Sequence, residues 1–446
     1  MSFNDFNLHP AILKAVQQCG YTTPTPVQAE AIPKVLDGHD IIASANTGTG
    51  KTASFVLPAL QLLTKRRFNK KQYGKPSVLV LTPTRELANQ VSQAIRNYGK
   101  NVHCFSTSLV GGMPYGPQIK SLSRQIDIVV ATPGRLLDML ERRRIDLSYV
   151  NMLVLDEADR MLDMGFVDEV NQIADSTPED RQTLLFTATW DNTLAKLAQT
   201  LLKEPERIQI ETEPTQDNIE QRLHVADDFD HKTRLLEHLL DDDKLTQAII
   251  FSATKQGADI LAQDLVAQGH AAAALHGDMK QGARTRTLTN LRRGKLRLLV
   301  ATDVAARGLD ITTLSHVINF DLPRFAEDYV HRIGRTGRAG AAGTAISFAL
   351  PDDLLHLERI ERYTGQQVPQ YVIPGLEPTR RLQRSRNNKK KRPFRGNDHG
   401  YGRKQGYGSG PKHKGSSGGH YQQPPPHQHK RRQSRMAGQK MTTPTP

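Results

Sequence analysis

The chain of 446 residues is longer than a single hydrophobic core usually supports, so its length predicts two domains with extensions. Its formal net charge of +14 indicates a polyanionic partner. The two cysteines, Cys19 and Cys104, are too few for a disulfide framework, and the sequence shows neither a secretory signal nor an apolar run long enough to cross a bilayer, so we expect a soluble cytoplasmic protein with no membrane partner.

Short apolar runs alternate with longer amphipathic stretches along most of the chain. This rhythm is typical of βαβ units, in which parallel strands form a sheet with helices on both faces. The first set of predicted strands is Ile41-Ile42, Val78 to Leu81, Ile126 to Val130, Met152 to Leu155 and Thr183 to Phe186. The second set is Ala248 to Phe251, Ala271 to Leu275, Leu296 to Val300, Val317 to Phe320 and Thr344 to Phe348. The sequence therefore predicts two sheets of similar build.

A polar segment containing Pro205 and Pro214 separates the two sets of strands. We predict an N-terminal domain over residues 1–207, a linker over 208–217 and a C-terminal domain over 218–378. From Arg380 onward the chain has 18 Lys/Arg and one acid, which leaves 42 Lys/Arg and 45 Asp/Glu, a net charge of about −3, for residues 1–379. Residues 379–446 are predicted to form a disordered basic tail that binds RNA phosphates, or else a solubilising extension.

A glycine-rich loop follows the first predicted strand. It comprises Ala45-Asn46-Thr47-Gly48-Thr49-Gly50-Lys51-Thr52, and its second half matches the phosphate-binding loop of nucleotide hydrolases, although the general pattern has glycine where this chain has Ala45. In such loops the lysine contacts phosphates and the hydroxyl residue holds Mg²⁺. A purely structural glycine-rich turn is the alternative.

Three acids stand at the end of the predicted strand Met152 to Leu155. Ligands of open α/β sheets bind beyond the carboxyl ends of the strands, so Asp156 is placed to support Mg²⁺ and Glu157 to orient or deprotonate the attacking water. A solvated acidic turn is the alternative. Taken with Lys51 and Thr52, these acids predict hydrolysis of a nucleoside triphosphate.

The second half of the chain contains a cluster of three arginines and two glycines within the eight residues from His331 to Arg338. Phosphoryl transfer needs positive charge on the departing γ-phosphate, commonly from an arginine finger, and the first half offers no evident candidate. A basic, solvated turn is the alternative.

The motifs and their order resemble the DEAD-box RNA helicases of superfamily 2, whose naming tetrad corresponds to Asp156-Glu157-Ala158-Asp159. The resemblance covers residues 1 to about 375. It implies an α/β fold with two RecA-like parallel-sheet domains in tandem, followed by the disordered basic tail. It also implies ATP as the substrate and Mg²⁺ as the cofactor.

The resemblance also assigns residues to the nucleotide site. Gly20 to Gln28 looks like the family's adenine-reading Q motif, so Tyr21 and Gln28 are expected near the adenine, together with Phe3, which could instead pack the N-terminal helix. Gly308 and Asp310 resemble the motif that meets the ribose. Arg335 and Arg338 resemble the arginine fingers.

Further matching segments imply RNA contacts and coupling between hydrolysis and unwinding. Contacts of this kind are confined to the sugar-phosphate backbone and carry little sequence information. The implied RNA-binding residues are Pro83, Thr84, Arg85, Gly112, Thr132, Pro133, Gly134, Arg135, Gln281, Arg284 and Thr302. The implied coupling residues are Asp159, Thr187, Thr189 and His331, with Thr187 standing where the family usually has serine.

The predicted function is that of an RNA-dependent ATPase that locally unwinds short RNA duplexes, or remodels RNA–protein complexes, when ATP closes the two domains. We expect a monomer. The short N-terminus and basic tail look like the bacterial RhlE-type subgroup, which implies ribosomal precursors or the RNA-decay machinery as partners. Two alternatives remain: an ATP-gated RNA clamp, in which unwinding is incidental, and a DNA helicase.

Overall fold

The structure is a computed structural model that describes residues 1–45, 48–64, 73–210, 218–306, 309, 314–337, 342–380 and 382. Most of the predicted linker and nearly all of the predicted tail lie outside this range. None of the helices in the described ranges has both the length and the low polarity that a bilayer span requires.

The first domain contains a seven-stranded sheet in which neighbouring strands run parallel, in the order β3-β4-β2-β5-β6-β1-β7. The strands are β1 (Ile41–Ser44), β2 (Val78–Leu81), β3 (Ser106–Leu109), β4 (Ile128–Ala131), β5 (Met152–Leu155), β6 (Gln182–Thr187) and β7 (Glu206–Gln209). The helices are α1 (Pro10–Gln18), α2 (Pro26–Leu36), α3 (Lys51–Thr64), α4 (Arg85–Tyr98), α5 (Tyr115–Leu122), α6 (Pro133–Glu141), α7 (Ala158–Asp163), α8 (Val167–Asp175) and α9 (Asn192–Leu201).

The second domain contains a six-stranded parallel sheet in the order β10-β11-β9-β12-β13-β8. The strands are β8 (Ile219–Val225), β9 (Ala248–Phe251), β10 (Ala272–Leu275), β11 (Leu298–Ala301), β12 (His316–Asn319) and β13 (Gly343–Ala349). The helices are α10 (Phe229–Leu240), α11 (Lys255–Ala267), α12 (Gln281–Arg292), α13 (Asp303–Ala306), α14 (Ala326–Ile333) and α15 (Leu354–Thr364).

Both faces of each sheet are covered, which explains why the central strands are apolar throughout. In β5, Met152 and Val154 belong to one hydrophobic cluster, whereas Leu153 and Leu155 belong to the cluster on the opposite face. Successive side chains of a strand point to opposite faces, so a strand buried on both faces contains no polar position. The predicted fold class, two α/β parallel-sheet domains in tandem, is confirmed.

All ten predicted strands occur, and the three that were not predicted are edge strands. β3, β7 and β8 each have a neighbour on one side only, and their sequences carry polar residues at several positions. An edge strand is partly exposed and lacks the continuous apolar run that reveals a central strand. β7 also spans the predicted end of the first domain at residue 207, and that boundary stays a prediction.

Parallel strands bring the predicted site residues to one edge of each sheet. The loops after β1, β2, β4, β5 and β6 all leave the carboxyl edge of the first sheet, and those after β10 and β11 leave the corresponding edge of the second. This edge is where open α/β sheets bind ligands.

Candidate functional site

The glycine-rich loop is held by the side chain of Lys51, the first residue of α3. The buried ammonium donates hydrogen bonds to the carbonyl oxygens of Ala45 (2.8 Å) and Thr187 (3.2 Å). Ala45 in turn donates its backbone N–H to the carbonyl of Thr187 at 3.1 Å. Thr52 is half-buried in the first turn of α3. The loop therefore presents a cation and a hydroxyl at a helix N-terminus, which is the setting that binds phosphate.

Gln28 links this loop to the start of α2. Its side-chain oxygen accepts from the backbone N–H of Thr25 (3.0 Å), and its amide nitrogen donates to the carbonyl of Gly50 (3.1 Å). Gly50 has a φ of +93°, and a Cβ at this position would collide with the Gln28 amide, so only glycine fits. The other loop residues Gly48 and Thr49 lie between Ala45 and this contact.

The two aromatic residues expected near the adenine differ in their surroundings. Phe3 is buried in the hydrophobic core and packs edge-on against Phe6, with ring centroids 5.9 Å apart. Tyr21 is 49% exposed and lies 6.2 Å from the ring of Tyr98. Burial of Phe3 favours the packing alternative for that residue, and its contact with ATP stays a prediction.

Asp156 and Glu157 follow β5 and are both buried. Burial and the neighbouring charge of Glu157 together raise the pKa of Asp156 to about 7, against the opposing effect of Lys51. Glu157 has a φ of +56° and ψ of +53°, a left-handed conformation that costs a non-glycine residue about 1 kcal/mol or more. Strained residues of this kind cluster at functional sites, because the surrounding structure must hold them in place.

Asp159 connects the acidic turn to the segment after β6. One of its carboxylate oxygens accepts from the backbone N–H groups of Ala188 (3.1 Å) and Thr189 (2.9 Å) and from the Thr189 hydroxyl (3.0 Å). Although burial acts to raise the pKa of Asp159, the charges of Lys51 and Arg160 and these hydrogen bonds hold that pKa below its usual value.

Thr187 completes a continuous chain of contacts from the phosphate loop to the acids. Its hydroxyl donates to the carbonyl of Thr189 at 2.7 Å, while its own carbonyl accepts from Lys51. The side chain is fully buried. The threonine thus retains the hydroxyl that a serine would supply, and its additional methyl group is accommodated in the core.

Two arginines of the cluster in the second domain, Arg332 and Arg335, differ in their partners. Arg332 forms a bidentate pair with Asp303 (2.6 and 2.7 Å), so its guanidinium serves the fold of its own domain. Arg335 is 7% exposed and donates to the carbonyl of Leu309 at 2.6 Å. The half-buried His331 has a lowered pKa because desolvation and the charges of Arg160 and Arg335 outweigh the opposing effect of Asp159 and Asp328.

A buried ion pair joins the two domains beside these residues. The guanidinium of Arg160, directly after the acidic motif, contacts Asp328 of α14 at 2.8 Å, and both side chains are 8% exposed. The same guanidinium also contacts the exposed Asp163 at 3.0 Å. Burial acts to lower the pKa of Arg160, but the carboxylates of Asp328 and Asp159 raise it overall, so the arginine remains charged.

The predicted RNA-binding residues of the first domain lie at the N-termini of α4 and α6 and beside the loop that contains Gly112. Thr84 caps α4 by accepting from the N–H of Leu87 (3.3 Å), and the hydroxyl of Thr132, which precedes α6, accepts from Gly111 N–H at 3.4 Å. Gly112 has a φ of +67° and lies so close to the Arg85 guanidinium that a Cβ would collide with it. Pro83 and Pro133 are buried beside these caps, and Gly134 is exposed.

Arg135 and Tyr115 form a second contact group next to this surface. The Arg135 guanidinium donates to the carbonyl of Met113 (3.1 and 3.2 Å) and stacks 4.0 Å from the centroid of the Tyr115 ring. A stacked guanidinium is held in one orientation, which suits it to the recognition of a planar or phosphate group.

The RNA-binding residues predicted in the two domains contact each other. Arg85 donates to the side chain of Gln281 at 3.0 Å, and Arg284 forms an ion pair with Glu86 at 2.8 Å. Thr302, also buried, precedes α13 at the same edge of the second sheet. The two halves of the predicted RNA surface are therefore adjacent, as the two halves of the predicted ATP site are.

Five predicted site residues lie outside the described residues, and their predicted roles stay predictions. They are Asn46, Thr47, Gly308, Asp310 and Arg338.

Sequence reasoning missed Arg160, Asp328 and Glu86, which make the interdomain contacts. Each stands next to or within a motif, but a charged residue carries no sign of a partner some 170 to 200 positions away. Only the tertiary structure reveals such pairs.

Family models match two parts of the chain. Residues 25–197 match the DEAD/DEAH box helicase model, and residues 231–340 match the helicase conserved C-terminal domain. The ATP-dependent RNA helicase SrmB of Escherichia coli is 43% identical over 384 residues, which is 85% of this chain and 86% of that protein.

Two solved structures of one variant of Saccharomyces cerevisiae Dbp5 provide a structural comparison. The form bound to RNA and ADP BeF3 is 32% identical with a TM-score of 0.74, covering 83% of this chain and 95% of that one. The form bound to Gle1 and IP6 is 31% identical with a TM-score of 0.66, covering 84% and 96%. Because the same protein gives both scores, the arrangement of domains in this chain is more similar to that of the RNA- and nucleotide-bound form.

Proposed function

Because this chain belongs to the DEAD/DEAH box helicase family, we propose that it is an ATP-dependent RNA helicase whose hydrolysis depends on RNA. It locally separates short RNA duplexes, or remodels RNA–protein complexes, when its two domains close on ATP and one RNA strand. The core binds RNA with little sequence preference, because its contacts are those that a sugar-phosphate backbone requires.

One observation carries this proposal: the two domains meet through residues of both predicted sites. The Arg160–Asp328 pair lies beside the acids of the ATP site, and the Glu86–Arg284 pair lies within the RNA-binding residues. A ligand that favours this closed arrangement also favours binding of the other ligand, since coupling between two sites is reciprocal. RNA therefore stimulates hydrolysis by helping to close the cleft.

The residues present fit ATP and Mg²⁺. Lys51 would hold phosphate oxygens, and Thr52 and Asp156 would support Mg²⁺, partly through water. Within the described residues no group of three or more His, Cys, Asp or Glu side chains is arranged to hold a metal. Mg²⁺ is typically bound by one or two carboxylates together with substrate phosphates, so such a cage is not needed. When bound, the ion neutralises charge that develops on the phosphates.

Glu157→Gln tests the role of the predicted base. The amide keeps the shape of the side chain but cannot accept the water proton, so we expect unchanged ATP and RNA affinities and a loss of RNA-stimulated turnover of at least about a hundredfold. Turnover is measured by phosphate release and affinity by fluorescence anisotropy. Glu179→Gln, an exposed position of the same domain, is the matched control. Normal RNA-stimulated hydrolysis in Glu157→Gln would refute the assignment.

Strand displacement separates the proposal from its two alternatives. A helicase acting on RNA displaces a short RNA strand only with ATP and leaves the matching DNA duplex paired. An RNA clamp binds RNA with ATP and displaces neither strand. A DNA helicase displaces the DNA strand.

The cellular role is proposed on the resemblance to the RhlE-type subgroup alone. Ribosome assembly or RNA decay in the cytoplasm, with the protein acting as a monomer, is tested by crosslinking RNA to the protein in cells and identifying it. Enrichment of ribosomal precursors favours the first role, and enrichment of messenger RNA favours the second.

A further inference from the structure

An open groove lies on the first domain, between the segment that precedes β2 and the loop that follows α6. Its volume is about 480 Å³, and its lining includes Tyr73, Arg143 and Arg144 over an apolar floor that contains Leu140 and Leu147. The two walls are joined by a hydrogen bond from Asp146 N–H to the carbonyl of Gly74 at 2.9 Å. We call it the arginine groove.

Arg143 has a left-handed backbone conformation, which is most favourable for glycine. Its φ is +51°, and it stands two residues after the last residue of α6. The backbone N–H of Arg143 donates to the carbonyl of Leu140 (2.8 Å), and the backbone N–H of Arg144 donates to the carbonyl of Met139 (2.9 Å). These two hydrogen bonds form a Schellman motif. Glycine is preferred at this position because a Cβ costs about 1 kcal/mol or more there. Local folding therefore gives no reason for arginine.

The groove carries positive charge that neighbouring acids do not neutralise. Arg142, Arg143 and Arg144 are all exposed, and Arg142 pairs with Asp138 at 2.7 Å. Asp146 pairs with Lys75 at 3.2 Å. Among the described residues, neither Arg143 nor Arg144 has an acid within ion-pair distance. Two exposed guanidinium groups are thus available for an anion, and guanidinium binds phosphate in a bidentate manner.

Lys and Arg are also frequent in the sequence that directly precedes Tyr73. The eight residues 65–72 precede Tyr73 and lie outside the described residues, and five of them are Lys or Arg. Tyr73 itself is 53% exposed and offers a ring face at the groove. Basic residues interspersed with exposed aromatic rings are typical of surfaces that bind single-stranded nucleic acid, since bases stack on the rings. The arginines alone would suffice to bind an acidic peptide, so the exposed ring of Tyr73 favours nucleic acid as the partner.

Helix α6 connects the arginine groove to the predicted RNA surface. Arg135 lies at the start of the helix and Arg143 just past its end, about 12 Å apart for a rise of 1.5 Å per residue. The centroid of the Tyr115 ring lies 4.0 Å from the Arg135 guanidinium and 4.8 Å from that of Arg142, the residue before Arg143. A basic and aromatic surface therefore continues from the predicted RNA site to the groove.

We propose that the arginine groove is a second RNA-binding site, which holds the phosphate backbone of the strand beyond the part bound in the cleft between the domains. This proposal rests on the proposed function, because it assumes that the cleft binds RNA. Arg143 and Arg144 contact phosphates, and the ring of Tyr73 stacks with a base. The site lengthens the RNA footprint without adding sequence preference.

The test is a double variant, Arg143→Gly with Arg144→Gln, in the full chain. Arg143→Gly removes the energetic cost of a side chain in the left-handed conformation, so the melting temperature should not fall. Affinity is measured by anisotropy with a non-hydrolysable ATP analogue for two oligouridylates, one that fills only the cleft and one about twice as long. Lys196→Gln with Lys203→Gln removes equal charge from exposed positions of the same domain and serves as the control.

We expect the double variant to bind the long RNA about tenfold more weakly, with a salt dependence reduced by about 1.4 in the logarithmic slope for two lost phosphate contacts. Its affinity for the short RNA and its ATPase stimulation by the short RNA should equal those of the unmodified chain. Unchanged affinity and slope with the long RNA would overturn the proposal, as would equal losses with both RNAs.

Two further outcomes separate this proposal from others. If the unmodified chain shows no ATPase stimulation by any RNA, the proposed function itself fails. Binding of polyglutamate to the unmodified chain and to the double variant is measured in the same way. If the double variant loses affinity for polyglutamate but keeps its affinity for the long RNA, the groove binds an acidic protein partner and the RNA proposal is overturned.

Discussion

The buried ammonium of Lys51 donates to two backbone carbonyl oxygens, and phosphate oxygens of ATP would compete with them for the same ammonium. The carbonyl oxygens of Ala45 and Thr187 accept from it, so phosphate binding exchanges neutral acceptors for charged ones. A phosphate oxygen carries negative charge and adds Coulomb attraction to the ammonium that a neutral carbonyl does not supply, which favours the exchange. Three hydrogen bonds in series connect Lys51 to Thr187, Thr187 to Thr189 and Thr189 to Asp159. We therefore predict that movement of Lys51 is transmitted to Asp159.

Arg335→Ala tests the predicted arginine finger. The finger stabilises charge that develops on the departing phosphoryl group, so its loss should lower the turnover number by about a thousandfold and raise the Kd for ATP far less. Steady-state hydrolysis and nucleotide titration measure the two quantities separately. Arg324→Ala, an exposed arginine of the same domain, should change neither. Equal losses in turnover and binding would argue against a finger.

His224 predicts an acid-sensitive step in the stability of the second domain. Burial, together with the nearby charge of Arg222, lowers the pKa of this histidine from 6.5 to about 4. The folded state therefore prefers the neutral ring, so its contribution is fully present above pH 6.5 and is lost as the pH falls towards 4. The loss amounts to about 2 to 3 kcal/mol.

His224→Phe should remove much of this pH dependence, because the ring packs near Phe348 and Tyr371 and a phenyl group has similar size. Urea denaturation followed by circular dichroism at several pH values from about 7.5 down to about 4, the interval over which the stability is expected to change, measures the effect. Identical slopes of stability against pH for the two proteins would contradict the prediction.

At the scale of elements, helices α7 and α14 are joined by the ion pair of Arg160 and Asp328. Both side chains are buried, so removal of one partner leaves an uncompensated charge, whereas removal of both does not. The pair links the acidic motif to the helix that carries His331. It can therefore favour the closed arrangement of the domains.

A double-mutant cycle with Arg160→Met and Asp328→Leu tests this link. Each single variant should weaken RNA binding in the presence of an ATP analogue by about tenfold or more, and the double variant should lose less than the sum, with a coupling energy of about 1 to 3 kcal/mol. Asp163→Asn removes the exposed partner of the same arginine and should have little effect. Losses that simply add would rule out a direct interaction.

At the scale of the whole molecule, the predicted ATP and RNA sites each take residues from both domains. We therefore predict that each ligand raises the affinity for the other by the same factor, as thermodynamic linkage requires. RNA affinity should rise with a non-hydrolysable ATP analogue and fall with ADP.

Deletion of residues 380–446 tests the basic tail. This deletion removes 18 Lys/Arg and one acid. The RNA concentration needed for half-maximal ATPase stimulation should therefore rise, and the salt dependence of RNA binding should become less steep. The maximal ATPase rate should be retained. An unchanged salt dependence would contradict a role of the tail in RNA binding.

The central strands, the phosphate loop, the acidic turn and their order are predictable from the chain alone, because each is a local pattern. A short apolar run such as Met152 to Leu155, bordered by polar residues, favours a buried strand, and glycines followed by Lys51 and Thr52 predict a phosphate loop. The contact of Gly50 with Gln28 is visible only in the folded chain. The edge strands β3, β7 and β8 were missed because partial exposure removes the apolar signal.

Only the tertiary structure decided which distant residues meet. Arg160 with Asp328, Glu86 with Arg284, and Tyr115 with both Arg135 and Arg142 are contacts between side chains whose local sequence is ordinary. The physical reason is that a charge or an aromatic ring is compatible with solvent anywhere on the surface. Its role is set by the partner that folding places within a few ångströms, and no local pattern specifies that partner.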